Sequence, residues 1–339
     1  MATPAILQED RDPHRDRDTS PPAPPKKRKP QRVWLHLLLF VATICTTTAV
    51  GMRYMANFRQ GLYPLTADTD IFPYSWAWDH LHLVPSGLPF SLSLLAILLT
   101  HEFGHYFACR IYGIKATLPL LLPAPSLSGT AGAVIRLRGR VQKRDALLAI
   151  GALGPIPGFL VAVVVACVGI SLSHMGTKVP DGLVDFQLPW LLRILARAMG
   201  HPEFAVANAP VLWHPVFIAA WVGTLITALN LIPAGQLDGG HILYAFSPRL
   251  HHWMTRITMI ALGILGIVFW VGWLIWLGLL LLPGMRHPSV QDTTPLQGWQ
   301  KLMGLVCLGI LILCAVHEPF DHASPLQGTI HLWQQYHHE

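Results

Sequence analysis

Charged residues are scarce in this sequence. Asp, Glu, Lys and Arg make up 12% of its 339 residues, whereas 52% are hydrophobic; an ordinary soluble domain has about 25% charged residues. The apolar residues come in blocks, and most blocks reach the roughly 20 residues that a helix needs to cross a hydrocarbon core about 30 Å thick. This composition excludes a typical soluble protein and predicts a polytopic helical membrane protein.

Cysteine motifs are missing as well. No two of the five cysteines have C-x-x-C spacing, and all lie within or at the edge of apolar blocks: Cys45, Cys109, Cys167, Cys307 and Cys314. We therefore expect neither a disulfide framework nor a cysteine zinc site. The net charge of +6 does not indicate binding to nucleic acid, because the basic residues gather beside the apolar blocks, as determinants of membrane orientation do.

Six apolar blocks predict an all-α polytopic fold with about six transmembrane helices. The blocks are 33–52, 86–112, 147–172, 211–232, 257–282 and 302–316. The fifth block contains several glycines and is consistent with one tilted span or with two short, broken ones. Residues 185–200 have two arginines four apart among leucines, a pattern typical of a helix lying in the outer membrane interface.

Lys and Arg are unevenly distributed around these blocks. With the N-terminus inside, the inner segments hold 17 basic residues and the outer segments 7, so the positive-inside rule places the N-terminus in the cytoplasm.

We divide the chain into a disordered basic tail, a first helix with its external loop, a core, the C-terminal helices and a C-terminal tail. The bounds are 1–32, 33–85, 86–244, 245–316 and 317–339. The first tail shows no organelle-targeting features, which favours a bacterial plasma membrane.

The second block contains three ionisable residues, His101, Glu102 and His105, in the pattern H-E-x-x-H. Composition alone predicts roughly 0.014 such matches in this chain. Positions i and i+4 of a helix share a face, so both imidazoles can bind one metal ion while Glu102 takes a proton from an activated water. The alternative is a histidine pair that only packs, at a high desolvation cost.

Two histidines do not complete a catalytic zinc site, which usually has three protein ligands. Among the acidic residues between 86 and 282, only Asp238 directly follows an apolar block, which makes it the best candidate. Pro233 ends the preceding helix, and the glycines around Asp238 allow a tight turn. A surface turn capped by Asp238 is the alternative.

For other cysteine and histidine residues near these motifs, the sequence predicts a role in packing or in solvent more readily than metal binding. Cys109 shares the helical face of the two histidines, and we expect it to pack rather than to bind metal. His241 either supports the site or is a simple loop residue. His251 and His252 lie outside the apolar blocks, so we expect them at the interface or in solvent.

The two motifs together resemble a known family. H-E-x-x-H at 101–105 in one apolar helix, followed by N-x-x-P-x-x-x-x-D-G at 230–239, is similar to the pattern of the site-2 proteases, which are intramembrane zinc metalloproteases. The sequence between them, from Ser128 to Gly158, resembles the segment that those proteases carry after the zinc-binding helix. The resemblance covers roughly 86–244.

The resemblance implies roles for the matching residues. It implies Zn2+ as the cofactor, held by His101, His105 and Asp238, and Glu102 as the catalytic residue. It also implies a supporting or substrate-ordering role for Asn230, Pro233 and Gly239. A small re-entrant β-hairpin after the zinc-binding helix and a helix start near 151–158 follow from the same likeness.

We therefore expect an intramembrane zinc metalloprotease that hydrolyses peptide bonds within or near transmembrane segments of membrane proteins, as in regulated intramembrane proteolysis. Its expected partners are such a substrate and the lipid bilayer, without nucleic acid. The alternating run 134–140 is typical of a strand whose edge pairs with an unwound substrate; a basic loop without substrate contact is the alternative. The short segment between the third and fourth blocks leaves no room for a PDZ domain, so we expect a compact form.

Three rivals are weighed against this expectation. One, a catalytically inactive, chaperone-like member of the same family, is disfavoured by the intact motifs. A zinc protease with a glutamate as third ligand needs that glutamate within an apolar block, but the downstream glutamates lie outside the blocks: Glu203, Glu318 and Glu339. A membrane metal-ion transporter or binding protein would use the same His/Asp site. That function would not require Glu102 beside the metal.

Overall fold

The structure, a computed structural model, describes residues 33–66, 68–139, 141–176, 186–206, 209–285, 287–288, 290, 292 and 294–320. Within this part of the chain the helices are α1 (Val33–Arg59), α2 (Asp68–Ile71), α3 (Tyr74–Asp79), α4 (Val84–Ile111), α5 (Arg144–Leu153), α6 (Pro155–Leu172), α7 (Trp190–Ala198), α8 (Pro215–Asn230), α9 (Asp238–Phe246), α10 (Pro248–Val268), α11 (Gly272–Leu281) and α12 (Gly298–Cys314). The strands are β1 (Leu120–Pro123), β2 (Thr130–Val134), β3 (His174–Met175) and β4 (Val211–Leu212). The tail 1–32 and residues 321–339 lie outside the described residues, and the domain boundaries stay predictions.

Three helical stretches are long and apolar enough to cross a membrane: Val33–Arg59, Leu81–Ile111 and Arg144–Leu172. The fourth and sixth blocks form the shorter apolar helices α8 and α12, of 16 and 17 residues. The predicted mostly helical fold with long apolar helices and a small hairpin is therefore confirmed, and the count of six crossings stays a prediction.

Two of the apolar blocks are broken into pairs of helices. The third block breaks between α5 and α6 at Gly154, and α6 begins at Pro155, a position where the missing N–H of proline costs no hydrogen bond. The fifth block breaks between α10 and α11 near Trp270. Of the two arrangements considered for the fifth block, the structure has the broken one.

Helices α1 and α4 pack antiparallel. The hydroxyls of Thr47 and Ser91 share a hydrogen bond of 2.6 Å, and one turn further along α1 the backbones of Gly51 and Gly87 meet without room for a side chain on either. Extending this alignment along the helices places the half of α4 that holds His101 at the level of the N-terminal third of α1.

Strands β1 and β2 form an antiparallel hairpin in which Leu120 pairs with Val134. At its tip, the Thr46 hydroxyl donates to the carbonyl oxygen of Gly129 over 2.6 Å. Thr46 is the middle residue of α1, a helix of 27 residues and thus about 40 Å long. The hairpin therefore reaches the level of the middle of that helix.

The largest buried cluster fixes the position of α4. Phe90 and Leu94 of α4 belong to the same cluster as Phe217 and Trp221 of α8. Helix α7 packs beside this cluster through Leu192, which is fully buried. The expected amphipathic helix within 185–200 is therefore present as α7, and its location at a membrane interface stays a prediction.

Strands β3 and β4 form a second small antiparallel sheet, with His174 opposite Leu212. The sequence does not predict this sheet, because the first residues of the fourth apolar block, 211–232, continue the apolar run that indicates a helix. Helix α8 instead begins at Pro215, where the His214 ring caps the backbone N–H of Val216.

Candidate metal centre

Helix α4 places the three residues of the H-E-x-x-H motif on its inner side. His101, Glu102 and His105 are all buried, and their ligand atoms lie within 4.8 Å of one another. Because positions 101 and 105 are one turn apart, the helix itself brings the two imidazoles to the same place.

The ring of His105 is oriented by α5. Its Nδ1–H donates to the carbonyl oxygen of Ile150 over 2.6 Å, which leaves the lone pair of Nε2 free to bind a metal. Gly154 lies against the same ring and has no space for a Cβ atom. Helix α5 therefore fixes both the tautomer and the position of this imidazole.

Asp238 is the first residue of α9, and its carboxylate meets both imidazoles. Its Oδ2 lies 3.1 Å from Nε2 of His101 and 3.2 Å from Nε2 of His105. Ligand atoms in a tetrahedral zinc site, each about 2.0–2.2 Å from the metal, are about 3.3 Å apart. The donor types and their separations therefore fit a zinc ion held by His101, His105 and Asp238.

Asn230 ends α8 and reaches the same place. Its Nδ2 lies 3.3 Å from Nε2 of His101, so its amide borders the ligand atoms. Helix α8 ends three residues before Pro233, earlier than the proline alone requires. Gly239 lies directly against the carbonyl of Leu231, with no room for a side chain. The loop between α8 and α9 therefore folds back onto the start of α9.

The chain after β2 approaches the catalytic motif. The main chain of Ile135 lies near the Glu102 carboxyl group, and β2 packs against α4. Beyond it, the N–H of Thr117 donates to the carbonyl oxygen of Arg136 over 3.0 Å, and Leu137 pairs with Ala116. The alternating run 134–138 thus continues the hairpin as expected, whereas Arg140 lies outside the described residues.

Of the neighbouring residues considered, Cys109 behaves as expected. It is fully buried and packs against Ala108 and Ile150. His241 lies on α9, with its Nδ1 3.0 Å from Nε2 of His287. Burial lowers the pKa of His287 to about 3, so its ring is neutral at neutral pH and stacks on Tyr244.

The expectation for His251 is wrong. His251 is only 3% exposed, and its Nε2–H donates to the carbonyl oxygen of Gly235 over 3.0 Å. The physical reason is that α10 begins at Pro248, well before the fifth apolar block, so that its first turns pack against the α8–α9 loop. His252, on the outer face of the same turn, is exposed as expected.

Comparisons with known proteins bear on this geometry. The profile of peptidase family M50 matches residues 89–272. "Probable zinc metalloprotease EGY2, chloroplastic" of Arabidopsis thaliana is 30% identical over 249 residues, which are 72% of this chain and 44% of that protein. The protein of the same description from Oryza sativa subsp. indica is 32% identical over 256 residues, covering 72% of this chain and 45% of its own length.

A third relative, "Probable zinc metalloprotease EGY1, chloroplastic" of Oryza sativa subsp. japonica, is 28% identical over 307 residues, 85% of this chain and 51% of that protein. The chain thus spans about half the length of these curated relatives. No solved structure shows a significant match. Because the family profile covers more than half of the chain and includes both the H-E-x-x-H motif and Asp238, the chain belongs to peptidase family M50, the site-2 protease family.

Proposed function

We propose that this chain is an intramembrane zinc metalloprotease, which hydrolyses peptide bonds within or near transmembrane segments of membrane-protein substrates. One observation carries the proposal. The ligand atoms of His101, His105 and Asp238 converge at zinc-site distances, and the carboxyl group of Glu102 lies beside them on an apolar helix. A metal site that served only binding or transport would not need a buried carboxyl group next to its ligands.

Each residue has a distinct task in the proposed reaction. His101, His105 and Asp238 would hold a zinc ion, which would supply a Lewis acid to polarise the scissile carbonyl and to activate a water molecule. Glu102 accepts the proton of the attacking water at its carboxylate and passes it to the leaving amine. The amide of Asn230 borders the same space, where it donates to the reacting carbonyl or orients the peptide.

A transmembrane helix must open before it is cut, because its carbonyl groups are hydrogen-bonded within the helix. In the described part of the chain the β1–β2 sheet has two strands, and the other edge of β2 is without a partner strand. We infer that the unwound substrate adds to this edge. Because Ile135, directly after β2, lies near Glu102, a strand added to this edge would pass close to the carboxylate of Glu102.

The position of the hairpin tip supports the inference that the β1–β2 hairpin re-enters the membrane. Its tip contacts Thr46 at the middle of α1, whereas His101 lies level with the N-terminal third of that helix. We infer that the site opens towards the side of the membrane on which α1 begins, and that this side is the cytoplasmic one, as the basic residues indicate. The curated relatives are described as chloroplastic, so they give no support to the bacterial plasma membrane expected from the tail.

The proposal is tested by cleavage of a panel of single-span membrane substrates, with purified wild type and Glu102→Gln in detergent and bound zinc measured in both. We expect wild type to cut at least one substrate, and Glu102→Gln to bind zinc equally while cutting at least 100-fold more slowly. Zinc-loaded wild type that cuts no substrate, but moves zinc across proteoliposomes as fast as Glu102→Gln does, would overturn the protease proposal.

A further inference from the structure

Gly235 lies in the loop between α8 and α9, three residues before Asp238. Both of its backbone polar groups are bound by one helix. The N–H of Gly235 donates to the hydroxyl of Thr255 over 3.3 Å, and the Nε2–H of His251 donates to its carbonyl oxygen over 3.0 Å. His251 and Thr255 are four residues apart on α10 and so share a face. They therefore hold the two peptide units on either side of the Cα of Gly235, one side chain to each unit.

The backbone conformation of Gly235 restricts the path of the loop. Its φ of +57° lies in the left-handed region, which favours glycine. A Cβ atom at this position would also press against the carbonyl oxygen of Met285 at 3.1 Å. The loop therefore has one well-defined path at the point where α10 holds it.

The held loop lies directly on the start of α9. Gly240 packs against the carbonyl groups of Ala234 and Gly235, with no room for a side chain. The N–H of His241 is bonded to Leu237 of the same loop. A displacement of Gly235 therefore moves the first turn of α9, where Asp238 meets the two histidines.

The burial of His251 argues against a packing role alone. The side chain is 3% exposed, and among the residues that the structure describes no group hydrogen-bonds to its Nδ1. Burying an unpaired ring nitrogen is unfavourable, and an apolar side chain would fill the same space without that penalty. What the histidine provides, and an apolar residue would not, is the N–H that binds Gly235.

We propose that His251 and Thr255 are positioning residues, which hold the α8–α9 loop so that the carboxylate of Asp238 stays at zinc-binding distance from His101 and His105. This inference rests on the proposed zinc site. It adds two residues from outside both sequence motifs, and it explains why a helix beyond the core contributes a buried histidine to the neighbourhood of the site.

The test compares zinc affinity across four variants of the full chain in detergent, measured by competition with a chromogenic chelator. His251→Ala and Thr255→Val each remove one of the two contacts, while His251→Gln and Thr255→Ser keep a donor or acceptor at the same reach. We expect the first two to weaken zinc binding about 10–100-fold, as loss of groups that orient metal ligands does, and the second two to stay within about 3-fold of wild type.

His252→Ala is the matched control, because His252 is exposed and its Nδ1–H donates to the carbonyl oxygen of Pro248 in its own helix. It should bind zinc as wild type does. Unchanged zinc affinity in His251→Ala and Thr255→Val would overturn the proposal. An equal loss of zinc affinity in His252→Ala would overturn it too, and so would zinc binding by His251→Gln that is as weak as that of His251→Ala. Since the readout is zinc binding, wild type that binds zinc but cuts no substrate would count against the protease and not against this positioning role.

Discussion

The absence of a side chain at Gly154 leaves room for the ring of His105, one of the proposed zinc ligands. Gly154 has ordinary helical dihedral angles, φ −81° and ψ −63°, so alanine is conformationally allowed there. A Cβ atom at this position would nevertheless overlap the imidazole of His105. We expect Gly154→Ala to displace that ring and to weaken zinc binding at least 10-fold.

The measurement is zinc stoichiometry and affinity in the purified protein, with helix content monitored by circular dichroism. Gly309→Ala serves as the control, because Gly309 is also helical and a Cβ atom there meets nothing within 4 Å. That control should bind zinc normally. Full-affinity zinc binding by Gly154→Ala would show that the ring of His105 sits elsewhere.

Some residues of the site were predictable from the sequence because their chemistry is costly where they stand. A glutamate and two histidines in an apolar block are costly to bury, which indicates a functional site. Because a catalytic zinc site usually has three protein ligands, the search for the third ligand led to Asp238. His251 gave no such signal, because it stands outside the apolar block. Its spacing of four from Thr255 on a polar helix face was the one available indication.

The start of α5 and the end of α9 are tied together by one side chain. The guanidinium of Arg144 donates from Nε to the carbonyl oxygen of Ala245 over 2.9 Å and from a terminal nitrogen to that of Phe246 over 3.0 Å. These carbonyl groups end α9 and have no partner within the helix. A cation at a helix C-terminus also interacts favourably with its dipole.

We expect Arg144→Ala to destabilise the protein by roughly 1–3 kcal/mol, the usual cost of losing hydrogen bonds to a charged group. Thermal unfolding followed by circular dichroism in detergent measures the change. Arg249→Ala removes an exposed arginine from the first turn of α10 and should leave the midpoint nearly unchanged. Equal midpoints for the two variants would contradict the role assigned to Arg144.

The hydrophobic blocks of the sequence predict the positions of helices more accurately than they predict the points at which helices are interrupted. The break at Gly154 and Pro155 was expected only through the family resemblance, since glycine and proline also occur within unbroken membrane helices. The strands β3 and β4 have two residues each, too few for an alternating pattern to be recognised. Such elements form because the surrounding helices bring their backbones together, which local sequence does not encode.

The membrane arrangement of the whole molecule follows from the way its helices are paired. Helix α9 runs antiparallel to α5, since Asp238 lies beside Gly151 and Ala245 beside Arg144. His105 is held by Ile150 within α5, so we expect Arg144 to lie further out, on the side of the membrane where α1 begins. We expect Arg249, just after α9, to lie on that side too.

Cysteine labelling in sealed vesicles tests this arrangement. In a chain whose five native cysteines are replaced, Arg249→Cys should react with a membrane-impermeant maleimide from the side that holds the N-terminus. Gln60→Cys, at the far end of α1, should react only from the opposite side, because α1 is long and apolar enough to separate the two positions. Labelling of both cysteines from one side would mean that α1 does not cross the bilayer. The proposed depth of the zinc site, which is measured along α1 through its antiparallel packing with α4, would then be wrong as well.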